Sequence, residues 1–198
     1  MNLALFDFDG TITTRDAYPG FCSYCSPRWR VWLGWTLLGL PYLGMKRGWV
    51  SPKFMRLVLA FITFSGTREA HVRAAGERYA RDVIPGMLRP EAMARIDWHR
   101  AQGDCIVVVS GSMAYYLEPW ARANGLEVVC NRPTVRGVRL TGLLEPPDCD
   151  GENKVRRVRA RYDLAQYPLV YAYGDSAGDR PMLAIAHRRW FRWEEQPA

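Results

Sequence analysis

Hydrophobic positions are arranged differently before and after residue 84. The chain opens with an unbroken apolar run, Leu3-Ala4-Leu5-Phe6, that leads directly into Asp7-Phe8-Asp9-Gly10-Thr11. This predicts a first strand over residues 3–8 that ends in carboxylates and a Gly turn. Residues 15–83 read as helical and rich in aromatics. After Ile84-Pro85-Gly86, strands and helices alternate. The pattern predicts a helix over 90–102, a strand over 105–109, a strand-to-helix turn at Ser110-Gly111-Ser112, a helix over 113–124 and a short strand over 126–130. A hairpin follows over 135–144, with a turn near Arg136-Gly137. A helix over 152–162, a strand over 169–173, a helix over 179–186 and a last strand over 189–193 complete the series. Such alternation implies an α/β fold with parallel pairing and right-handed crossovers. The run Ile106-Val107-Val108-Val109 fits a strand covered on both faces.

Composition narrows the partners. With 198 residues and 48% hydrophobic content the chain can bury a core and is not disordered. Its net charge of +7 favours anionic partners such as phosphate compounds or an acidic membrane surface. No dense Lys/Arg run or zinc-finger spacing points to nucleic acid. Five cysteines, an odd count, with no basic leader before the first strand, predict free thiols in a reducing compartment, the cytoplasm. The lone Cys22-x-x-Cys25 pair lacks a second pair at ligand spacing. His71, His99 and His187 also lack metal spacing and are read as packing or surface residues.

Ligands of open parallel sheets bind beyond the carboxyl ends of the strands. Three predicted strand ends carry small, polar or acidic residues: Asp7-x-Asp9, Ser110-Gly111-Ser112 and Gly174-Asp175-Ser176. Two carboxylates spaced two residues apart repel unless a cation or proton intervenes. Asp7 is therefore a candidate nucleophile and Asp9 a candidate general acid and base. Asp175 would complete a Mg²⁺ site with Asp7, and Asp179, one helical turn later, would support it. Ser110 and Gly111 would contact an anion at a helix start. Ordinary N-capping is compatible with that reading. Lys154, one of only three lysines, would neutralise phosphate.

Asp7-x-Asp9-x-Thr11, Ser110, Lys154 and Gly174-Asp175-Ser176-x-x-Asp179 resemble the four motifs of the haloacid dehalogenase superfamily, in order and across most of the chain. The stretches 131–142 and 150–154 resemble its phosphoserine-phosphatase-like subfamily. The resemblance implies a Rossmann-like three-layer core over residues 1–14 and 85–198, with a helical type 1 cap over 15–84. It implies a Mg²⁺-dependent phosphatase working through an aspartyl-phosphate, with Mg²⁺ held by Asp7, the main-chain carbonyl of Asp9 and Asp175. Phosphate would touch Ser110 and Lys154. Phosphoserine phosphatases usually have Glu where Asp16 stands and Asn where Gly178 stands. Asp16 is kept as a candidate contact to a substrate amine.

Residues 31–45 form an uncharged run flanked by Arg28, Arg30, Lys46 and Arg47. A spanning helix needs roughly 20 apolar residues. Gly34, Gly39, Pro41 and Gly44 also argue against an uninterrupted helix. Two readings stand: an interfacial membrane segment within residues 29–64, or a cap core packed on the catalytic part. Arg15, Arg56 and Arg68 could contact substrate from the cap, with solvated surface the default reading for any one of them. Trp190 and Trp193 are expected to pack at the sheet edge. The substrate is expected to be a small-molecule or lipid-head-group phosphate, such as that of a phosphatidylglycerophosphate-type lipid. A phosphotransferase using the same intermediate and a non-catalytic binding module are the rival classes.

Overall fold

The computed structural model describes residues 1–197, apart from the side chains of Trp35, Met45, Lys46, Pro52 and Lys53. Three side chains of the apolar run and its flank (Trp35, Met45 and Lys46), with Ala198 at the end of the expected core, thus lie outside the described residues. The strands are β1 (Leu3–Phe6), β2 (Cys105–Met113), β3 (Glu127–Asn131), β4 (Pro133–Arg136), β5 (Arg139–Leu144), β6 (Val170–Gly174), β7 (Arg188–Phe191) and β8 (Glu194–Gln196). The helices are α1 (Ala17–Cys25), α2 (Arg28–Lys46), α3 (Pro52–Phe64), α4 (Glu69–Asp82), α5 (Pro90–Ala101), α6 (Ala114–Ala123), α7 (Glu152–Arg159) and α8 (Arg180–Ala184).

A six-stranded sheet runs in the order β3-β2-β1-β6-β7-β8, parallel except for the β7–β8 pair. The expected α/β class with a mostly parallel sheet is what the chain adopts. Alternation divides the strands between two buried faces. Ala4, Phe6, Val108 and Tyr173 join one apolar cluster with Trp120, Ile96 and the α1–α4 residues Phe21, Phe64 and Tyr79. Leu3, Leu5, Val107, Val109 and Ala172 join the other with Val158, Met182 and Leu183. Both faces are covered, which explains why these strands read as continuous apolar runs.

Four helices, α1–α4, lie between β1 and the rest of the sheet. The β4–β5 hairpin reaches over to them: Gly66 N donates to Leu140 O at 2.9 Å, and Leu140 N donates to Thr67 O at 2.9 Å. The two passages between sheet and helices are tied side by side. Thr14 N donates to Met87 O at 2.8 Å, and Arg89 N donates to Ile12 O at 2.9 Å.

Four sequence expectations are corrected. Ser110-Gly111-Ser112 is not a strand-to-helix turn: β2 continues to Met113, with a register shift against β3 between Ser110 and Met113. The apolar run is one helix in spite of its glycines and Pro41, because α2 packs along α3. The helix expected over 179–186 is a short 3₁₀ turn, Ala177–Asp179, followed by α8. Finally, the C-terminal strand is shorter than expected and turns at Arg192 and Trp193, both at positive φ, into the antiparallel β8.

Candidate active site

Register brings the expected residues to one rim. Phe6 pairs with Val108 and with Tyr173, so Asp7, Ser110 and Asp175 follow at the same carboxyl end of the sheet. Asp7 N donates to Tyr173 O at 2.9 Å, which continues the ladder to the candidate nucleophile. Immediately after it the chain makes a tight wide turn over Phe8–Ile12. Gly10 sits there at φ 84°, and a Cβ on it would lie 2.4 Å from Asp175 Oδ2. Only glycine lets these two segments approach so closely.

Lys154, in the first turn of α7, is buried and reaches the rim. Its Nζ donates to Asp7 Oδ1 at 2.5 Å and to Asp179 Oδ1 at 2.6 Å. The second Asp7 oxygen accepts from Thr11 Oγ1 at 3.3 Å, and Thr11 also lies 3.5 Å from Asp175 Oδ1. Burial pushes the Asp7 carboxyl up to about 8, with Lys154 pulling it down and the charge of Asp179 adding to the rise. Burial opposes the charge of Lys154, but Asp7 and Asp179 prevail and hold its ammonium above the usual lysine range. Asp179 is buried too, yet Lys154 and the Ser176 hydrogen bonds keep its carboxyl below the usual range. Its Oδ2 accepts from Ser176 Oγ at 2.7 Å and from the main-chain N–H groups of Ser176 and Asp175. Burial, with the Asp179 charge, raises Asp175.

One oxygen from each of Asp7, Asp175 and Asp179 lies within 4.8 Å of the others. Hard oxygen donors in this number suit Mg²⁺. A cation here would also offset the burial and the Asp179 charge that together raise Asp7 and Asp175. The residues present therefore fit such an ion. Asp7 and Asp175 are better placed as ligands than Asp179, since both Asp179 oxygens already accept strong hydrogen bonds.

The Asp9 carboxylate points elsewhere. Its Oδ1 accepts from Ala17 N at 2.7 Å, and its Oδ2 accepts a short hydrogen bond from Ser112 Oγ. Tyr116 OH donates in turn to Ser112 Oγ at 2.6 Å. Enclosure and the charge of Asp16 push Asp9 up to about 7, against the Ser112 and Ala17 hydrogen bonds. The sequence reading missed Ser112 as the partner of Asp9, because the bulge at the end of β2 that aims it is not visible in a local pattern. Ser110 Oγ accepts from Ser112 N at 3.0 Å, which leaves its proton without an acceptor among the described residues.

Asp16 caps α1 by accepting from Tyr18 N at 2.9 Å, and its side chain is exposed at the mouth of the site. Arg56 is not solvated surface, contrary to expectation. It comes from α3 and lies over Gly111, where a Cβ would meet its Nη1 at 2.3 Å. It faces Asp148 at 3.6 Å, and both Arg56 Nη1 and Asp148 Oδ2 are buried without a hydrogen-bond partner. Arg15 and Arg68 are exposed, as expected. The space beside Gly178 is taken by Asp150, whose Oδ1 would sit 2.2 Å from an added Cβ, so a larger residue there would have to displace the Asp150 carboxylate. Trp193 donates from its ring to Thr11 O at 3.2 Å and closes the far side of the turn.

A family model for haloacid dehalogenase-like hydrolases matches residues 4–184. The protein CicA of Caulobacter vibrioides is 32% identical over 196 residues, 96% of this chain and 85% of CicA. A Bordetella pertussis protein of unknown function has the same fold, with a TM-score of 0.74 at 25% identity over 95% of this chain and 88% of that one. A substrate-bound phosphoserine phosphatase shares the fold with a TM-score of 0.69 at 19% identity, over 95% of this chain and 84% of that one.

Proposed function

Because the chain belongs to the haloacid dehalogenase-like hydrolases, we propose that it is a phosphatase that cleaves phosphate monoesters through an aspartyl-phosphate on Asp7. One observation carries this reading: Asp7 is held at the sheet rim by a buried lysine, with Asp9, pushed up to about 7, two residues on.

An oxygen of Asp7 attacks phosphorus in line with the ester oxygen. The bond to the leaving oxygen breaks, and Asp9 gives that oxygen its proton. Water then attacks the phosphorus of the aspartyl-phosphate, Asp9 takes the water proton, and the bond to Asp7 breaks to release inorganic phosphate. A group poised near 7 serves both steps, since each protonation state is populated at neutral pH. The hydrogen bonds from Ala17 and Ser112 aim Asp9, and the former ties it to the first cap helix. Lys154 and the Ser110 hydroxyl would bind the phosphoryl oxygens. Asp179 holds Lys154 in place. By family resemblance Asp7, Asp175 and the main-chain carbonyl of Asp9 would hold Mg²⁺, which when bound supplies positive charge to the phosphoryl group.

Arg56 extends the reading to substrate class. A buried guanidinium nitrogen with no hydrogen-bond partner, placed over Gly111, fits a substrate with a second anionic group beyond the phosphate. A phosphorylated small molecule or a lipid head group meets that condition.

Asp7→Asn is expected to abolish phosphate release from p-nitrophenyl phosphate, while its circular dichroism and melting temperature stay near wild type. Chelator should stop the wild-type reaction and Mg²⁺ restore it, and Mg²⁺ should raise the melting temperature by relieving Asp7 and Asp175. Substantial turnover by the variant, or a rate indifferent to excess chelator, rules the mechanism out.

A further inference from the structure

The positive charge of the chain has one origin. Residues 17–68 contain seven Lys/Arg and no Asp or Glu, while the whole chain carries +7, so everything outside this segment is neutral in sum. The segment is α1, α2 and α3.

The polarity of α2 is the reverse of an ordinary surface helix. Its side toward the protein carries Leu38, partly buried, while Gly44 is buried beside Val50, which lies past the helix end. Its opposite side presents Trp29, Trp32, Leu37, Leu40 and Leu43 to solvent, and Trp49 follows just beyond the helix end. Trp32 is 71%, Leu40 81% and Trp49 78% exposed. On a helical wheel the five α2 residues fall on one side, at successive steps of three, five, three and three. Exposed cations bracket the stripe: Arg28 at its start and Arg47 at its end, the latter with its guanidinium 5.6 Å from the Trp49 ring centroid. Arg30 is not available, since it donates to Thr63 O and Ser65 O and so ties α2 to the end of α3.

We propose that the outer face of α2, with Trp49, docks on the surface of a bilayer containing anionic lipid, the helix lying in the interface. The helix is roughly 28 Å long at 1.5 Å per residue, and among the described residues no helix is long and apolar enough to cross a membrane. Tryptophan and arginine beside leucine suit the headgroup boundary, and a segment without a single acidic residue suits an anionic one. A second copy of the chain is a poor occupant. Pairing like faces would bring two segments of charge +7 together with no carboxylate on either to offset them. The proposal does not depend on the phosphatase mechanism, because none of these side chains belongs to the site.

Vesicle flotation of the full chain tests it, using phosphatidylcholine vesicles with and without phosphatidylglycerol. The chain should float with the anionic vesicles, at least about tenfold more tightly than with the neutral ones, and raised salt should weaken it. Trp32→Ser with Leu40→Ser should reduce binding about tenfold or more, and leave release of phosphate from p-nitrophenyl phosphate unchanged. Arg28→Glu with Arg47→Glu gives an independent variant that removes charge and keeps the apolar stripe, and it should also lose the preference for anionic vesicles. Absence of flotation with either vesicle overturns the proposal, as does flotation that both variants leave intact. A dimer by light scattering that the Trp32/Leu40 variant converts to monomer also overturns it, in favour of a second copy. Failed hydrolysis with intact flotation would count against the mechanism alone.

Discussion

At the rim of the sheet, Asp7 and Asp179 share one buried ammonium, whereas along α2 a stripe of leucine and tryptophan faces water with cations only at its ends. The rim is polar where a protein is usually apolar, and the helix is apolar where a protein is usually polar. Asp7, Lys154 and Asp179 hold one another at the rim, and the cost of removing one falls on the others. On α2 no such debt exists within the fold, so the fold should tolerate losing those side chains. The contrast separates residues that the structure needs from residues that only a partner would need.

Lys154→Met should bring the largest loss of stability. It leaves Asp7 and Asp179 as buried carboxylates without their cation, and breaking such a pair costs about 3–5 kcal/mol. A fall in the urea midpoint at constant slope would report it. Mg²⁺ should recover part of the loss by taking over the neutralisation of Asp7. A variant as stable as wild type would mean that the pairing at the rim is incidental, and the contrast would collapse.

Arg56→Ala probes the place where the two regions meet. Arg56 rises from α3 but faces the site over Gly111. If its Nη1, which makes no hydrogen bond and faces Asp148 at 3.6 Å, takes a substrate anion, removal should cost about 1–3 kcal/mol, roughly tenfold to a hundredfold in kcat/KM, mostly through KM. An anionic substrate should suffer and p-nitrophenyl phosphate should not. Equal losses on both would make Arg56 a structural brace for Asp148.

The rim was largely legible from the sequence, and the course of α2 and α3 was not. Asp7, Ser110 and Asp175 could be brought together on paper because strand ends in a parallel sheet share an edge, a rule that needs only periodicity; Lys154, on a helix, was tied to them by the family resemblance. Asp9 at the same edge was legible, but its partner was not. Ser112 read as part of a strand-to-helix turn, and only the register shift late in β2 turns it toward Asp9. Arg56 read as surface because its burial depends on how α3 meets Gly111, a contact 55 residues away in the chain. Helix α2 read as broken because its glycines and Pro41 are weak local formers, while packing along α3 stabilises it non-locally. The slot beside Gly178 is filled from Asp150, which no motif position foretells.

A smaller effect is expected from pH at a third place, the buried His99. Its Nδ1 lies 2.8 Å from Asp104 Oδ2 and its Nε2 lies 2.9 Å from Tyr173 OH, so it is paired on both sides like the rim residues. Burial holds its pKa below the ordinary value of 6.5, although Asp104 pulls the other way. The unfolded chain therefore binds the proton more readily between the two values. Its contribution to stability is complete above about pH 6.5 and declines as pH falls toward the folded value, by about 1.4 kcal/mol per unit of difference. Melts across pH 7.5 to 5 should decline in wild type, and less steeply in His99→Gln.

The smallest effect distinguishes the two sides of α2 directly. Leu38 and Leu40 are two residues apart on one helix, so their side chains point in nearly opposite directions. Leu38 is partly buried toward the protein, while Leu40 is 81% exposed. Serine at position 40 removes no packing, and the change in unfolding free energy should stay within about 0.5 kcal/mol. Serine at position 38 loses apolar burial and should cost about 1–3 kcal/mol. Paired urea titrations decide it. If Leu40→Ser costs as much as Leu38→Ser, the stripe is covered within the protein itself, and there is no free face for a membrane to meet.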